Sequence, residues 1–80
     1  MAADIGDLTA LLAVARAGGF RSAARTTGRS ASNLSEAIRR LETQLGVRLL
    51  NRTTRSVAPT EVGTQLIARL EPALREVEDS

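Results

Sequence analysis

The side chains best suited to molecular recognition in this chain lie between residues 30 and 45. If this segment is one helix, apolar residues share one side of it and polar residues share the other, because positions three or four apart are neighbours. The apolar positions, predicted as core, are Leu34, Ile38, Leu41 and Leu45. The opposite side holds Ser32, Glu36, Arg39, Arg40 and Thr43. These groups can hydrogen-bond to phosphates and base edges, so the pattern indicates either a nucleic-acid-reading face or an ordinary solvated helix surface.

The start of this helix offers several distinct polar roles. Ser30 is placed to cap the helix, and its hydroxyl could also bind a phosphate. Asn33 is the best candidate for reading adenine, because a carboxamide can form two hydrogen bonds with that base. Glu36 cannot bind phosphate, so it either accepts a hydrogen bond from cytosine N4 or pairs with Arg39 or Arg40 and orients them. At least one of those two arginines should contact phosphate.

Basic charge is concentrated in the middle of the chain. The net charge is only +2, yet nine of the eleven arginines lie between residues 16 and 55, where Glu36 and Glu42 are the only acidic residues. The segments on either side are acidic. This distribution is expected of a domain that meets a polyphosphate such as DNA.

The composition excludes several kinds of site. Cysteine and histidine are absent, which excludes disulfides, Cys/His metal sites and nucleophile–imidazole catalysis. Carboxylates are scattered and no glycine-rich phosphate loop follows a strand, so we predict neither an enzyme nor a cofactor. The N-terminus resembles no secretory leader, and no apolar run approaches the ~18–20 residues that span a bilayer. We therefore expect a cytoplasmic chain without membrane contact.

Three helices are predicted to position the polar face. The first begins after Asp4 or Asp7, either of which could cap it, and stops at the glycine pair 18–19. The second covers residues 20–27, and the third covers residues 31–45. A glycine-containing turn separates these two, and a further glycine follows the third helix.

Two short β-prone runs, residues 47–51 and 56–58, surround a polar segment and predict a hairpin. This arrangement places Arg52 and Arg55 at the hairpin tip. There they would contact the DNA backbone or minor groove, unless the tip is only a solvated turn.

Pro59 and Thr60 are predicted to open a last helix that ends near residue 79, about 30 Å away at 1.5 Å per residue. Pro72 should bend or break this helix, because it lacks a backbone donor. The apolar stripe exceeds what so small a unit needs to cover, which indicates contact between two subunits. The predicted dimer interface is Val62, Leu66, Leu70, Ala73, Leu74 and Val77.

A short helix, a tight turn and a longer amphipathic helix make a helix-turn-helix, to which the hairpin adds a wing. We predict a mainly α fold, with a winged helix-turn-helix at residues 1–58 and a linker and dimerisation helix at residues 59–80. A homodimer would hold two recognition helices about one DNA turn apart, ~34 Å, so its operator would be an interrupted inverted repeat.

Six short segments, in order and at matching spacing, resemble the LysR-type transcriptional regulators over essentially the whole chain. They are Phe20-Arg21-Ser22-Ala23-Ala24, Leu34-Ser35, Ile38-Arg39-Arg40-Leu41-Glu42, Leu45-Gly46-Val47-Arg48-Leu49-Leu50, Asn51-Arg52-Thr53 and Pro59-Thr60-Glu61 with Gly63. The resemblance implies double-stranded DNA binding by the third helix, pairing of two subunits through the linker helix, and an effector-sensing domain that is absent from these residues. The implied groove contacts are Ala31, Ser32, Asn33, Ser35, Glu36 and Arg39. The implied wing contacts are Arg52, Thr53 and Arg55.

The chain departs from the common pattern of that family at four positions. Gly19 stands where a capping serine is frequent, and glycine is also an acceptable cap. Thr27 and Arg29 stand where apolar residues are common, which leaves the packing of the turn open, and Glu36 stands where many members carry a donor. The rival hypothesis is a winged-helix module whose arginines bind an acidic protein partner. The small polar residues of the third helix argue against it.

Overall fold

The computed structural model describes residues 4–52 and 57–79, without the side chains of 77–79. Along this part of the chain, the elements follow in the order α1 (Ile5–Ala17), α2 (Phe20–Thr27), α3 (Ala31–Leu45), β1 (Leu50–Arg52), β2 (Val57–Pro59) and α4 (Glu61–Asp79). A helix-turn-helix with a two-stranded wing and a long final helix is the predicted fold class, which is therefore confirmed. None of the described helices combines the length and apolarity that crossing a membrane requires.

Local signals set both ends of α1 and α3 and the end of α2, whereas α2 begins after Gly19 without a side-chain cap. Asp4 caps α1, because its carboxylate accepts a hydrogen bond from the Gly6 N–H at 3.2 Å. Ser30 caps α3 in the same way, accepting from the Asn33 N–H at 3.0 Å. Each of the three helices ends at a glycine with positive φ, a conformation that other residues adopt at a cost. These glycines are Gly18, Gly28 and Gly46.

The hydrophobic core lies between the first three helices and the segment that enters β1. Its largest fully buried side chains are Leu11, Val14, Leu34, Ile38, Leu41, Leu49 and Leu50. Three of the four positions predicted as core on the third helix are thus confirmed. The prediction for Leu45 is wrong, since this residue is 47% exposed. It is the last residue of α3, where the helix extends past the elements that cover its middle.

The chain between α3 and β1 does not continue as the predicted strand. The Glu42 carboxylate accepts hydrogen bonds from the backbone N–H groups of Leu49 and Leu50, at 2.9 and 3.3 Å. These donors therefore bond to a side chain instead of a neighbouring strand. Pairing begins only at Leu50, which lies opposite Pro59 in an antiparallel ladder. The predicted strand 47–51 is accordingly displaced to 50–52. Of the predicted strand 56–58, residues 57 and 58 belong to β2, which extends to Pro59, and residue 56 lies outside the described residues.

The final helix packs on the domain that precedes it. Leu66, Ile67 and Leu70 contact the core cluster, and Arg16 of α1 forms an ion pair with Glu71 at 3.0 Å. The helix runs without interruption through Pro72, so the predicted break is absent. Tertiary packing can offset the one backbone hydrogen bond that a proline removes.

The start of α4 is held against the residues that lead into β1. The Thr60 N–H donates to the Leu49 carbonyl at 3.0 Å, and the Thr60 hydroxyl donates to the Arg48 carbonyl at 2.8 Å. The same hydroxyl oxygen accepts from the Gly63 N–H at 3.0 Å and so caps the helix. A Cβ at Gly63 would overlap the Leu49 carbonyl oxygen. Only glycine fits this approach of helix to backbone.

We expect Gly63→Ala to lower the free energy of unfolding by about 1–3 kcal/mol, because the added methyl group forces two elements apart. Urea denaturation measures this change. Gly6→Ala is the matched control, since the nearest atom to its new Cβ would be an Asp4 carboxylate oxygen at an ordinary 3.8 Å. Replacing glycine by alanine within a helix should stabilise by up to about 1 kcal/mol. Effects of the same sign in both variants would contradict the proposed overlap.

Candidate nucleic-acid interface

The polar side of α3 faces solvent. Ser32, Asn33, Glu36 and Arg39 are exposed. Ala31 and Ser35, the other two residues predicted to contact the groove, are half-buried at the edges of this face. The core occupies the opposite side of the helix, because Leu34, Ile38 and Leu41 are fully buried. The arrangement leaves a short, small-residue helix start that can approach another molecule closely.

Arg29 ties the beginning of α3 to α1. Its Nε donates to the Asn33 side-chain oxygen at 2.6 Å, and its Nη1 donates to the Gly6 carbonyl at 3.0 Å. The preceding Thr27 hydroxyl donates to the Ala23 carbonyl at 2.8 Å and accepts from the Arg29 N–H at 3.2 Å. Hydrogen bonds therefore hold the turn at Thr27 and Arg29, two of the four positions named above as departures.

Arg40 is one of the two arginines of which at least one is predicted to contact phosphate, and it is engaged by Asp7 of α1. Two hydrogen bonds join them, Nη2 to Oδ1 at 2.9 Å and Nε to Oδ2 at 3.3 Å. The hydrogen bond and the negative charge of Asp7 raise the pKa of the Arg40 guanidinium. Asp7 is only 3% exposed, so its carboxylate depends on this partner.

Sequence reasoning treated Asp7 only as a possible cap and missed the ion pair. A signal was present, because Asp7 falls in the same helical register as Leu11 and Val14, which are both buried. An acidic residue within an apolar stripe needs a basic partner on a facing element. Of the two arginines, Arg39 is the one without an ion pair inside the described ranges. The predicted phosphate contact stays a prediction, with Arg39 as its candidate.

Glu36 makes no hydrogen bond or ion pair with any residue that the structure describes. Its negative charge acts on Arg40 only through space, as a minor contribution that raises the pKa of that guanidinium. The predicted pairing that would orient Arg39 or Arg40 is therefore not observed, and Asp7 orients Arg40 instead. The reading of cytosine by Glu36 stays a prediction.

Arg52 is the last residue of β1 and pairs with Val57, so it lies at the end of the ladder next to the predicted hairpin tip. Its predicted contact with DNA stays a prediction. Its Nη1 donates to the Ser35 hydroxyl at 2.9 Å, and its guanidinium carbon lies 5.1 Å from the centre of the Phe20 ring. Its Nη2 is buried, 4.0 Å from a Glu42 carboxylate oxygen. Strand pairing opposite Val57 places the side chain against α2 and α3.

These contacts give Arg52 a structural role between the wing and the helix-turn-helix. The other two predicted wing contacts, Thr53 and Arg55, lie outside the described residues. Their roles stay predictions.

The family model for bacterial regulatory helix-turn-helix proteins of the lysR type matches residues 5–64. The chain belongs to the LysR family. This LysR-family domain is 44% identical over 77 residues to the HTH-type transcriptional regulator PgrR of Escherichia coli K12, covering 96% of the chain and 26% of that protein. It is 41% identical over 71 residues to CrgA of Neisseria meningitidis, covering 89% of the chain and 24% of that protein. The chain thus spans about a quarter of the length of these relatives.

Solved structures share the architecture of this LysR-family domain. A complex of the BenM DNA-binding domain with catB site 1 DNA superposes with a TM-score of 0.88 at 29% identity, over 95% of this chain and 82% of that one. A complex of the CbnR DNA-binding domain with DNA gives 0.88 at 28% identity, over 95% and 87%. Oxidised OxyR of Corynebacterium glutamicum gives 0.93 at 32% identity, over 99% and 24%. The winged helix and the long α4 are therefore shared features.

We expect Arg40→Met to lower the urea concentration at the midpoint of unfolding, because it leaves the Asp7 carboxylate buried without its partner. Arg39→Met removes a neighbouring exposed arginine and should leave the midpoint unchanged. Asp7→Asn in the Arg40→Met background should recover part of the loss, since the remaining amide carries no charge. Equal midpoints for the two arginine variants would show that the ion pair does not stabilise the domain.

Proposed function

We propose that this LysR-family domain binds double-stranded DNA in a sequence-specific manner, with α3 in the major groove. The single observation that carries the proposal is the solvent-facing polar side of α3, held on a fold like that of two domains whose structures include DNA. In a helix-turn-helix, the second helix places its first residues at base edges. Here those residues are small or short, so the helix can enter deeply.

Affinity and base choice are assigned to different side chains. Arg39 is exposed and without an ion pair in the described part of the chain, so it supplies a phosphate contact. The backbone N–H groups at the start of α3 lie beside the Ser30 cap and can bind a second phosphate. Ser32, Asn33 and Glu36 are exposed on the same face and are assigned to base edges. No observation favours the alternative of a protein-interaction module.

We expect the chain to select preferred duplexes from a random library and to bind them with an affinity that falls as salt rises. Arg39→Ala should weaken binding to all sequences and reduce the slope of log affinity against log salt by about one. Arg75→Ala, an exposed arginine of α4, should change neither quantity. Binding without sequence preference, or a slope that Arg39→Ala leaves unchanged, would contradict this division.

A homodimer through α4 is the second part of the proposal. Leu66 and Leu70 are only half-buried after packing on the domain, and Val62 is 45% exposed. Ala73 is exposed on the same edge of the helix, whereas the side chain of Val77 lies outside the described residues. Two domains joined along this edge would present two α3 helices to an interrupted inverted repeat. In this proposal the dimer is cytoplasmic. The response of the regulator to an effector is assigned to residues outside this domain.

Substitutions of exposed alanines on α4 test the dimer. Ala73→Glu would bury a carboxylate in the proposed interface and should shift the chain from dimer to monomer in sedimentation equilibrium. Ala68→Glu makes the same change at an exposed position on the other side of the helix and should leave the dimer intact. A monomeric parent chain, or a dimer in both variants, would contradict dimerisation through this edge of α4.

A further inference from the structure

We propose that Arg29 sets the base preference of Asn33, so that Asn33 prefers guanine and not adenine. This inference rests on the proposed binding of DNA by α3. The geometry that carries it is the pair of hydrogen bonds from Arg29, one to the Asn33 side-chain oxygen at 2.6 Å and one to the Gly6 carbonyl at 3.0 Å.

Chemistry dictates how the Asn33 amide is turned. Arginine has only N–H donors, so the atom facing its Nε must be the amide oxygen and not the amide nitrogen. A hydrogen bond from a charged donor is about twice as strong as a neutral one. Asn33 is exposed, and one lone pair of its oxygen is engaged with the oxygen turned toward Arg29, so the NH2 with its two donors is the group that stays fully available to a base.

The Gly6 carbonyl holds the guanidinium in place. This carbonyl belongs to the first turn of α1, a helix that packs on α3 through the core. Arg29 is half-buried between the two helices, although a cation just before the start of a helix is unfavourably placed relative to the helix dipole. The two acceptors offset this cost. They also hold the positive charge beside the amide, where it adds to the attraction for an acceptor-rich base.

The major-groove edges of guanine and adenine differ in how well they match the Asn33 amide and the Arg29 cation. Guanine presents two acceptors, N7 and O6, which match a donor-only amide beside a cation. Adenine presents one acceptor and one donor, and its two-bond recognition needs both the oxygen and the nitrogen of a carboxamide. The hydrogen bond from Arg29 turns the Asn33 oxygen toward the guanidinium and therefore disfavours the recognition of adenine that the sequence suggests for Asn33. Removing this hydrogen bond should restore the recognition of adenine.

The test compares base preferences of three variants with those of the parent chain. Each is used to select duplexes from a random library, and affinities are then measured on duplexes that differ at one base pair. Asn33→Ala identifies the position that Asn33 reads, because preference should be lost there alone. Arg29→Met keeps an unbranched apolar side chain that reaches about as far as the arginine Nε but cannot donate a hydrogen bond. It should change the preference at that position from guanine to adenine by about tenfold, with other positions unchanged.

Arg25→Met is the matched control, since it removes an exposed arginine from α2 and should leave every base preference as in the parent. Urea denaturation of each variant shows whether the fold persists. A purely structural role of Arg29 would lower affinity for all duplexes equally and would overturn the inference. An adenine preference in the parent chain, or no position affected by Asn33→Ala, would also overturn it while DNA binding stands. A parent chain that selects no sequence would instead remove the proposed function.

Discussion

The burial of one side of α3 against α1 is the constraint on which the rest of this structure depends. A helix that leaves one side free for another molecule can pack on the domain through its other side only. Few residues are therefore available to hold α3 in position. Leu34, Ile38 and Leu41 are fully buried and supply the apolar part of that fixation. The core contains no tryptophan or tyrosine and is correspondingly small, so apolar burial alone leaves the helix weakly held. Directional polar contacts supplement it.

Those polar contacts follow α3 from its start to its end. Arg29 holds the first turn, Arg40 bonds to the buried Asp7 near the middle, and Glu42 accepts from the backbone that leads into β1. Arg52 returns from the strand to Ser35 and so ties the wing to the same helix. Arg29, Arg40 and Arg52 thus serve as internal donors along α3, and Arg16 of the same basic segment donates to Glu71 of α4. The local positive charge still attracts a polyanion, but fewer of these side chains are available to phosphate than their number implies.

A small number of backbone contacts position the wing and α4. The Leu49 carbonyl accepts from Thr60 and lies where a side chain at Gly63 would have to be. This close approach fixes the direction in which α4 leaves the domain. The half-buried apolar edge of α4 is where the second subunit of the proposed dimer would pack, so in that dimer the core geometry of one domain would also set the separation of the two α3 helices.

Much of the local structure was predictable from the sequence because its signals act within a few residues. The Asp4 and Ser30 caps and the glycines that end three helices are such signals, and the bounds of the third helix and the end of the second follow directly from them. The amphipathic pattern also identified the exposed side of α3. Leu45 was misjudged because periodicity does not show where the covering elements stop.

Only the tertiary structure decided the partners of the charged residues. Asp7 meets Arg40 across 33 positions and Arg52 meets Ser35 across 17, so no local pattern links them. The start of β1 differs from the prediction for the same reason, since the Glu42 carboxylate accepts hydrogen bonds from backbone N–H groups seven and eight positions later. Capping and glycine conformations are local energies, whereas ion pairs and helix approaches depend on how folded elements meet. The sequence therefore determined which helices form, and their packing determined which arginines remain for another molecule.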